Sequence, residues 1–298
     1  MSILTDHLRA HAPGELSPII SAIATSSVMV RDALPTSRGM ARGVNPSGER
    51  QAEADVYSND VFCSSLLISG QVAEVASEEM NSAKQGNGSV HVAMDPLDGS
   101  SNISTNNPLG SIFGFYSAKL PCSGEYLIGA AYVTYGPMLT VTFSTGGAPQ
   151  TFVCVNSKDS PEFHLLEADL QIPDKQEVFG LGGQRKEWIE PVERFVSSLE
   201  ARGLKLRYGG TFVGDYNQVL HYGGIFGYPA LKNKPKGKLR MLYEAAPMAY
   251  LTVRAKGRAS DGSRDILSIS PMSLAELTPL YLGTESLVKE LEAMIAGR

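Results

Sequence analysis

Apolar residues recur at helical spacing in ELSPIISAIATSSVMVRDAL, residues 15 to 34, and again in ERQAEADVYSNDVFCSSLLI, residues 49 to 68. Two amphipathic helices are therefore expected near the start of the chain. The intervening TSRGMARGVNPSG carries glycines and a proline and reads as a connector. From about 86 to 156 the texture changes to the strand-like runs VHVAM, SIFGFYS, LIGAAYVTYG, MLTVTFS and QTFVCV, separated by turn-rich pieces such as STGGAPQ. These predict a mostly antiparallel sheet packed on the early helices.

The polar stretch NSKDSPEFHLLEADLQIPDK, 156 to 175, reads as a connection carrying one short strand, with a domain boundary near 168. Beyond it VFGLGG, KEWIEPVERFVSSLEARG, LKLRYGG, GDYNQVLHYG, IFGYPA and RMLYEAAPMAYLTVRAKG alternate strand and helix patterns. Alternation of this kind predicts a second sheet covered by helices. The expected class is α+β, with helices on a sheet over residues 1–168 and a second αβα unit over residues 169–298.

Composition narrows the function classes. Hydrophobic residues make up 43% and charged residues 19% of 298, an ordinary globular balance. A net charge of −5 and no basic stripe beyond KNKPKGK argue against a nucleic-acid partner. No run reaches the roughly 18 apolar residues of a membrane span, and the opening MSILTDHLRAH has no apolar leader core, so a cytoplasmic location is expected. The cysteines Cys63, Cys122 and Cys154 stand far apart, and the histidines show no HxH or HExxH spacing. Any metal here must then be held by carboxylates.

The stretch MDPLDGSSN, residues 94 to 102, offers such carboxylates. Val90, Val92 and Met94 alternate as in a half-buried strand, and Pro96 is expected to end the run, so Asp95 and Asp98 leave a strand end together. Hard oxygen ligands of this kind suit Mg²⁺ or Mn²⁺. A helix starting at Gly99, Ser100 and Ser101 would add an anion site beside the metal; the same pattern also fits an Asx turn and helix cap. Further acids are Glu49 and Asp55 near the second helix, and Glu78 and Glu79 in VASEEM. Acidic residues on helix faces are usually solvated. Glu244 differs, since its neighbours Leu242, Tyr243, Ala245, Ala246 and Met248 form an apolar setting where a carboxylate needs a partner.

Taken in chain order, SEE, MDPLDGSSN, the LRYGG segment and NKPKGKLRMLYEAAPMAYL resemble the class I fructose-1,6-bisphosphatase and sedoheptulose-1,7-bisphosphatase family, over nearly the whole chain. The resemblance implies a layered αβαβα sugar-phosphatase fold and metal-assisted hydrolysis of a ketose bisphosphate at the 1-phosphate, with Mg²⁺ or Mn²⁺ as cofactor. It implies that Glu78, Asp95, Asp98, Glu244 and the Leu97 carbonyl bind the metals, with Glu49 in place of the family's usual aspartate at a third site. Asp98, Gly99, Ser100, Ser101 and Arg240 would hold the scissile phosphate, and Glu79 and Asp55 would orient and deprotonate the attacking water. Tyr208, Tyr228 and Lys238 would meet the distal phosphate, with Arg207 reaching in from a neighbouring subunit of a homodimer or homotetramer.

Several segments resemble the seven-carbon branch: STNNPLGSIFG, the NQ of GDYNQVL (Asn217, Gln218), SDG at 260 to 262, and GLGGQRKEW, where Gly182 and Arg185 replace the asparagine and tyrosine of the fructose pattern. Glycine would make room, and arginine would reach a more distant phosphate. Sedoheptulose 1,7-bisphosphate is accordingly the expected substrate, with fructose 1,6-bisphosphate or dual activity as the alternative. An inositol-monophosphatase-like enzyme and a non-catalytic phosphosugar-binding regulator stand behind these.

Overall fold

A computed structural model of the protein describes residues 2–37, 39–46, 48, 50–156 and 161–297. Helices α1 (Leu4–His11), α2 (Leu16–Ala33) and α3 (Glu53–Ile68) form the first layer. Helix α2 buries Leu16, Ile19, Ile20 and Ile23, the apolar face that its periodicity predicts. The connector holds β1 (Met40–Val44), and residues 50–52, expected to open the second helix, are instead strand β2 (Arg50–Ala52), which pairs with β1 as an antiparallel hairpin, so α3 starts only at Glu53. No alternation of apolar and polar residues marks the hairpin, because it borders a cleft rather than a core.

The large sheet contains β3 (Val72–Ser77), β4 (Lys84–Gln85), β5 (Val90–Asp98), β6 (Leu109–Tyr116), β7 (Leu127–Tyr135), β8 (Leu139–Ser144), β9 (Gln150–Asn156) and β10 (Glu162–Glu167). Among the described residues its order is β10-β9-β8-β7-β6-β5-β3-β4. Its pairings are antiparallel except for β3 beside β5, which is parallel. Pro96 does not end β5 as expected. The strand runs on to Asp98 because its register against β6 shifts between Asp95 and Asp98, and such an irregularity tolerates a residue without an N–H.

The second half contains β11 (Val178–Leu181), α4 (Glu190–Ala201), β12 (Lys205–Leu206), α5 (Phe212–Tyr222), β13 (Gly224–Tyr228), β14 (Leu239–Arg240), α6 (Ala246–Arg254), β15 (Arg258–Ser260), β16 (Leu277–Thr278), β17 (Leu280–Gly283) and α7 (Glu285–Ile295). Five of these strands form a mixed sheet ordered β12-β11-β13-β17-β15, and β14 pairs separately with β16.

The apolar clusters define the stacking. One face of the large sheet packs Val75, Val92 and Phe113 on α1 to α3 through Ile20, Phe62 and Leu66. Its other face presents Ala93, Ile112 and Tyr132 to Phe212 and Tyr216 of α5 and Met248 of α6, which also cover Phe226 and Leu282 of the second sheet. The far face of that sheet packs Phe179, Ile225 and Tyr281 on Phe195 of α4 and Leu291 of α7. Helices, sheet, helices, sheet and helices thus alternate in the αβαβα order expected. Because α5 and α6 serve both sheets, the end of β5 lies where the two halves meet.

Candidate active site

The end of β5 is held by its own side chains. Leu97 N donates to Asp95 Oδ1 at 3.0 Å, and Ser111 Oγ donates to the Pro96 carbonyl at 2.8 Å. Gly99 follows with φ +78, and a Cβ there would stand 2.7 Å from Cβ of Thr211, so only glycine fits both the left-handed turn and the close approach. A 3₁₀ turn then runs over Ser100–Thr105.

Three buried carboxylates converge beside this turn. Glu78 follows β3, and its N–H bonds the Met94 carbonyl of the parallel neighbour β5 at 3.1 Å, which places it level with Asp95. Glu244 enters from a widened π turn, Met241–Ala245, leading into α6; such turns are frequent at functional positions. One oxygen from each of Glu78, Asp95 and Glu244 lies within 4.8 Å of the others. Arg240 threads the cluster, 2.8 Å from Glu78 and 3.9 Å from Glu244, and its N–H donates to Glu244 Oε2 at 2.6 Å.

One guanidinium does not balance three carboxylates. Burial, and then the charges of Glu78, Asp98 and Glu244, push the Asp95 carboxyl well above its ordinary range. Burial raises Glu244 to about 7 against the opposing pull of Arg240. Three buried anionic oxygens with this charge deficit are a donor set that fits a hard divalent cation, with Glu78, Asp95 and Glu244 as its carboxylates.

Asp98 stands apart from those three. Its Oδ2 accepts from Thr211 Oγ1 at 2.5 Å and Val213 N at 2.7 Å, so it caps the N-terminus of α5 from across the fold. Burial raises its carboxyl, and these bonds oppose the rise. Leu97 is buried, and Asp98, Gly99, Ser100 and Ser101 line the same cavity as the three acids. Glu49 lies outside the described residues. Half-buried Glu79 receives a hydrogen bond from Gln51 Nε2 on β2 at 2.5 Å. Asp55 accepts from Ala52 N at 2.7 Å at the start of α3, one oxygen serving the helix cap.

The cavity, about 310 Å³, extends from these acids to Tyr208, Tyr228 and Lys238. Tyr208 and Tyr228 approach through their hydroxyls at 3.5 Å, and Lys238 Nζ lies 5.4 Å from the Tyr228 ring centroid. Exposed Arg207 stays outside this cavity, with Nη1 on the Leu206 carbonyl at 3.1 Å.

Two expectations fail here, those for Arg185 and Gly182. Arg185 does not face the cavity; Nε bonds Glu193 at 2.8 Å, Nη1 bonds Glu200 at 2.9 Å and Nη2 bonds Ser197 at 3.0 Å, which draws it onto α4. Gly182 opens no space, because a Cβ on it would meet the Tyr228 ring at 2.5 to 2.7 Å and that ring already fills the position. Asn217 turns inward, where its Oδ1 accepts from the Tyr132 hydroxyl at 2.8 Å.

Gln51, Asn45, Thr211 and Asp215 also line the cavity and were missed from the sequence. Thr211, three residues before GDYNQVL and at the N-cap of α5, carried a legible signal, that of a helix N-cap. Asp215 accepts from Gly209 N at 2.6 Å, bracing the loop that carries Tyr208, and burial raises it to about 6. Gln51 and Asn45 carried none, since nothing local shows a polar hairpin residue where it points.

The family profile described as Fructose-1-6-bisphosphatase, N-terminal domain, matches residues 2–166, and that described as Fructose-1-6-bisphosphatase, C-terminal domain, matches residues 172–296. A fructose-1,6-bisphosphatase class 1 of Haloarcula marismortui is 40% identical over 295 residues, covering 99% of this chain and 100% of that protein. One of Pelobacter propionicus is 40% identical over 298 residues, covering 97% of this chain and 91% of that one. The crystal structure of Leishmania major fructose-1,6-bisphosphatase in holo form superposes with a TM-score of 0.92 at 30% identity, covering 99% of each chain. With both halves, the layered fold and the clustered carboxylates in agreement, the chain belongs to the fructose-1,6-bisphosphatase family of metal-dependent phosphoric monoester hydrolases that act on sugar bisphosphates.

Proposed function

We propose that this protein hydrolyses the 1-phosphate of fructose 1,6-bisphosphate in a reaction that depends on Mg²⁺ or Mn²⁺. The observation that carries the reading is one cavity with a metal-fitting carboxylate cluster at one end and a Tyr208–Tyr228–Lys238 clamp at the other. Glu78, Asp95, Glu244 and the Leu97 carbonyl, with Asp98 beside them, would hold the divalent ions, which when bound would supply positive charge toward the phosphoryl oxygens and lower the pKa of the attacking water. Gly99, Ser100, Ser101 and Arg240 face the scissile phosphate. Glu79 and Asp55 orient the water and take its proton.

The six-carbon substrate is supported by the distal end. Gly182 lets the Tyr228 ring close the space that a longer sugar would need, and Arg185 is held away on α4. The names of the relatives point the same way. A homodimer or homotetramer is part of the proposal, with Arg207, exposed beside the short edge strand β12, reaching a neighbouring copy's cavity. Phosphate release from fructose 1,6- and sedoheptulose 1,7-bisphosphate, measured side by side with Mg²⁺ or Mn²⁺ and after chelation, tests the reading. A higher kcat/KM for the six-carbon ester, abolished by chelation, is expected; full turnover after exhaustive chelation, or a clear seven-carbon preference, would sink it.

A further inference from the structure

We infer that Gln51 is a positioning residue that fixes the Glu79 carboxylate, and that Gly43 is glycine so that the Gln51 side chain can lie across the hairpin to reach it. The inference rests on the proposed role of Glu79 in orienting the attacking water. Nothing in the chain's local pattern singles out either residue. The hairpin β1–β2 brings them together.

Gln51 sits on β2, four residues before Asp55, and its amide crosses to the segment after β3. There Nε2 donates to Glu79 Oε2 at 2.5 Å and approaches the Glu79 carbonyl at 3.4 Å. A primary amide in contact with both the carboxylate and the backbone of one residue restrains that residue's rotamer as well as its position. The Glu79 N–H is also held, by Ser77 Oγ at 3.2 Å. The carboxylate is therefore clamped from its backbone and from one oxygen, which sets the plane in which it meets a water.

Gly43 supplies the second, independent observation. A Cβ at position 43 would stand 2.7 Å from Gln51 Oε1, closer than any real contact, whereas Gln51 Cδ would be 3.9 Å away. The clash is with the tip of a flexible side chain, so a methyl group at 43 would be accommodated by swinging the amide aside. The backbone would not have to move. That swing removes the hydrogen bond to Glu79. Hydrogen bonds to charged groups are the stronger class, and sub-ångström placement of a group that orients a water has large kinetic consequences.

Four variants test this: Gln51→Leu, which keeps the shape and removes the amide, Gly43→Ala, Glu79→Gln, and Gln51→Leu combined with Glu79→Gln. Thermal melting confirms folding in each. For Gln51→Leu and Gly43→Ala we expect kcat to fall about 10-fold with KM within about twofold of the parent. Distal binding by Tyr208, Tyr228 and Lys238 is untouched. In the Glu79→Gln background, Gln51→Leu should cost nothing further, because the group it positions has lost its function. Parental kcat in Gln51→Leu or Gly43→Ala while Glu79→Gln collapses overturns the positioning role and leaves the reading of Glu79 intact. Parental kcat in Glu79→Gln overturns that reading and the inference with it. Parallel changes in KM and kcat, or a full additive loss in the double variant, would mean that Gln51 serves the fold rather than Glu79.

Discussion

The charge deficit around Glu244 makes opposite predictions for the metal-free and metal-loaded protein. Burial raises this carboxyl from an ordinary 4.5 to about 7. A raised carboxyl means that the folded state binds the proton more tightly than the unfolded chain does. Its contribution is therefore favourable below the unfolded value of 4.5 and is lost progressively as pH climbs to about 7. At about 1.4 kcal/mol per unit, the ionised group costs the metal-free fold on the order of 3 kcal/mol at pH 8. Asp95, pushed up by the same neighbours, adds in the same direction. Glu244→Gln removes the charge yet keeps an oxygen to accept the Arg240 N–H, and Arg240 retains Glu78 at 2.8 Å.

In urea denaturation with chelator at pH 8, Glu244→Gln should therefore be more stable than the parent by about 1 to 3 kcal/mol, part of the gain being lost to burial of the amide. At pH 5 the difference should shrink toward zero. Adding Mg²⁺ or Mn²⁺ at pH 8 should stabilise the parent strongly and the variant little, reversing the order. A variant less stable than the parent at pH 8 with chelator, or one stabilised by metal as much as the parent, would refute the reasoning.

Asp98→Asn keeps an oxygen toward Thr211 and Val213, so circular dichroism and melting should change little while kcat falls at least about 10²-fold; a near-parental rate would place the chemistry elsewhere. Gly182→Ala forces a Cβ into the Tyr228 ring, so KM for fructose 1,6-bisphosphate should rise about fivefold, roughly the cost of local overpacking, with kcat nearly unchanged; an unaltered KM would show that the ring position is irrelevant. Arg185→Ala should leave KM for either bisphosphate within about twofold, because an exposed ion pair on α4 contributes little; a selective loss with the seven-carbon ester would restore Arg185 to the distal site.

Much of the molecule was legible in the one-dimensional pattern. Alternation located β5 to β9 of the large sheet but not β3 or β4, helical spacing located α2 and α3 with an overrun into β2, and the apolar setting of Glu244 marked it as a carboxylate in need of a partner. The acids of MDPLDGSSN and SEE were joined to it by the family resemblance of the motifs, since no local signature says which distant acids will meet. What the pattern could not carry were choices among partners distant in sequence. Arg185 was a free cation on paper; in the fold, Glu193, Glu200 and Ser197 on the next helix engage its Nε, Nη1 and Nη2. Gly182 read as added space, and only the packing of Tyr228 against it shows the space is filled. Asp98 read as one ligand among equals until α5 arrived from more than a hundred residues away to claim one of its oxygens. Local periodicity reports what a segment's own backbone and burial demand. Where a side chain points, when several partners compete for it, is settled by which elements the core packs against each other, and that is a property of the assembled layers alone.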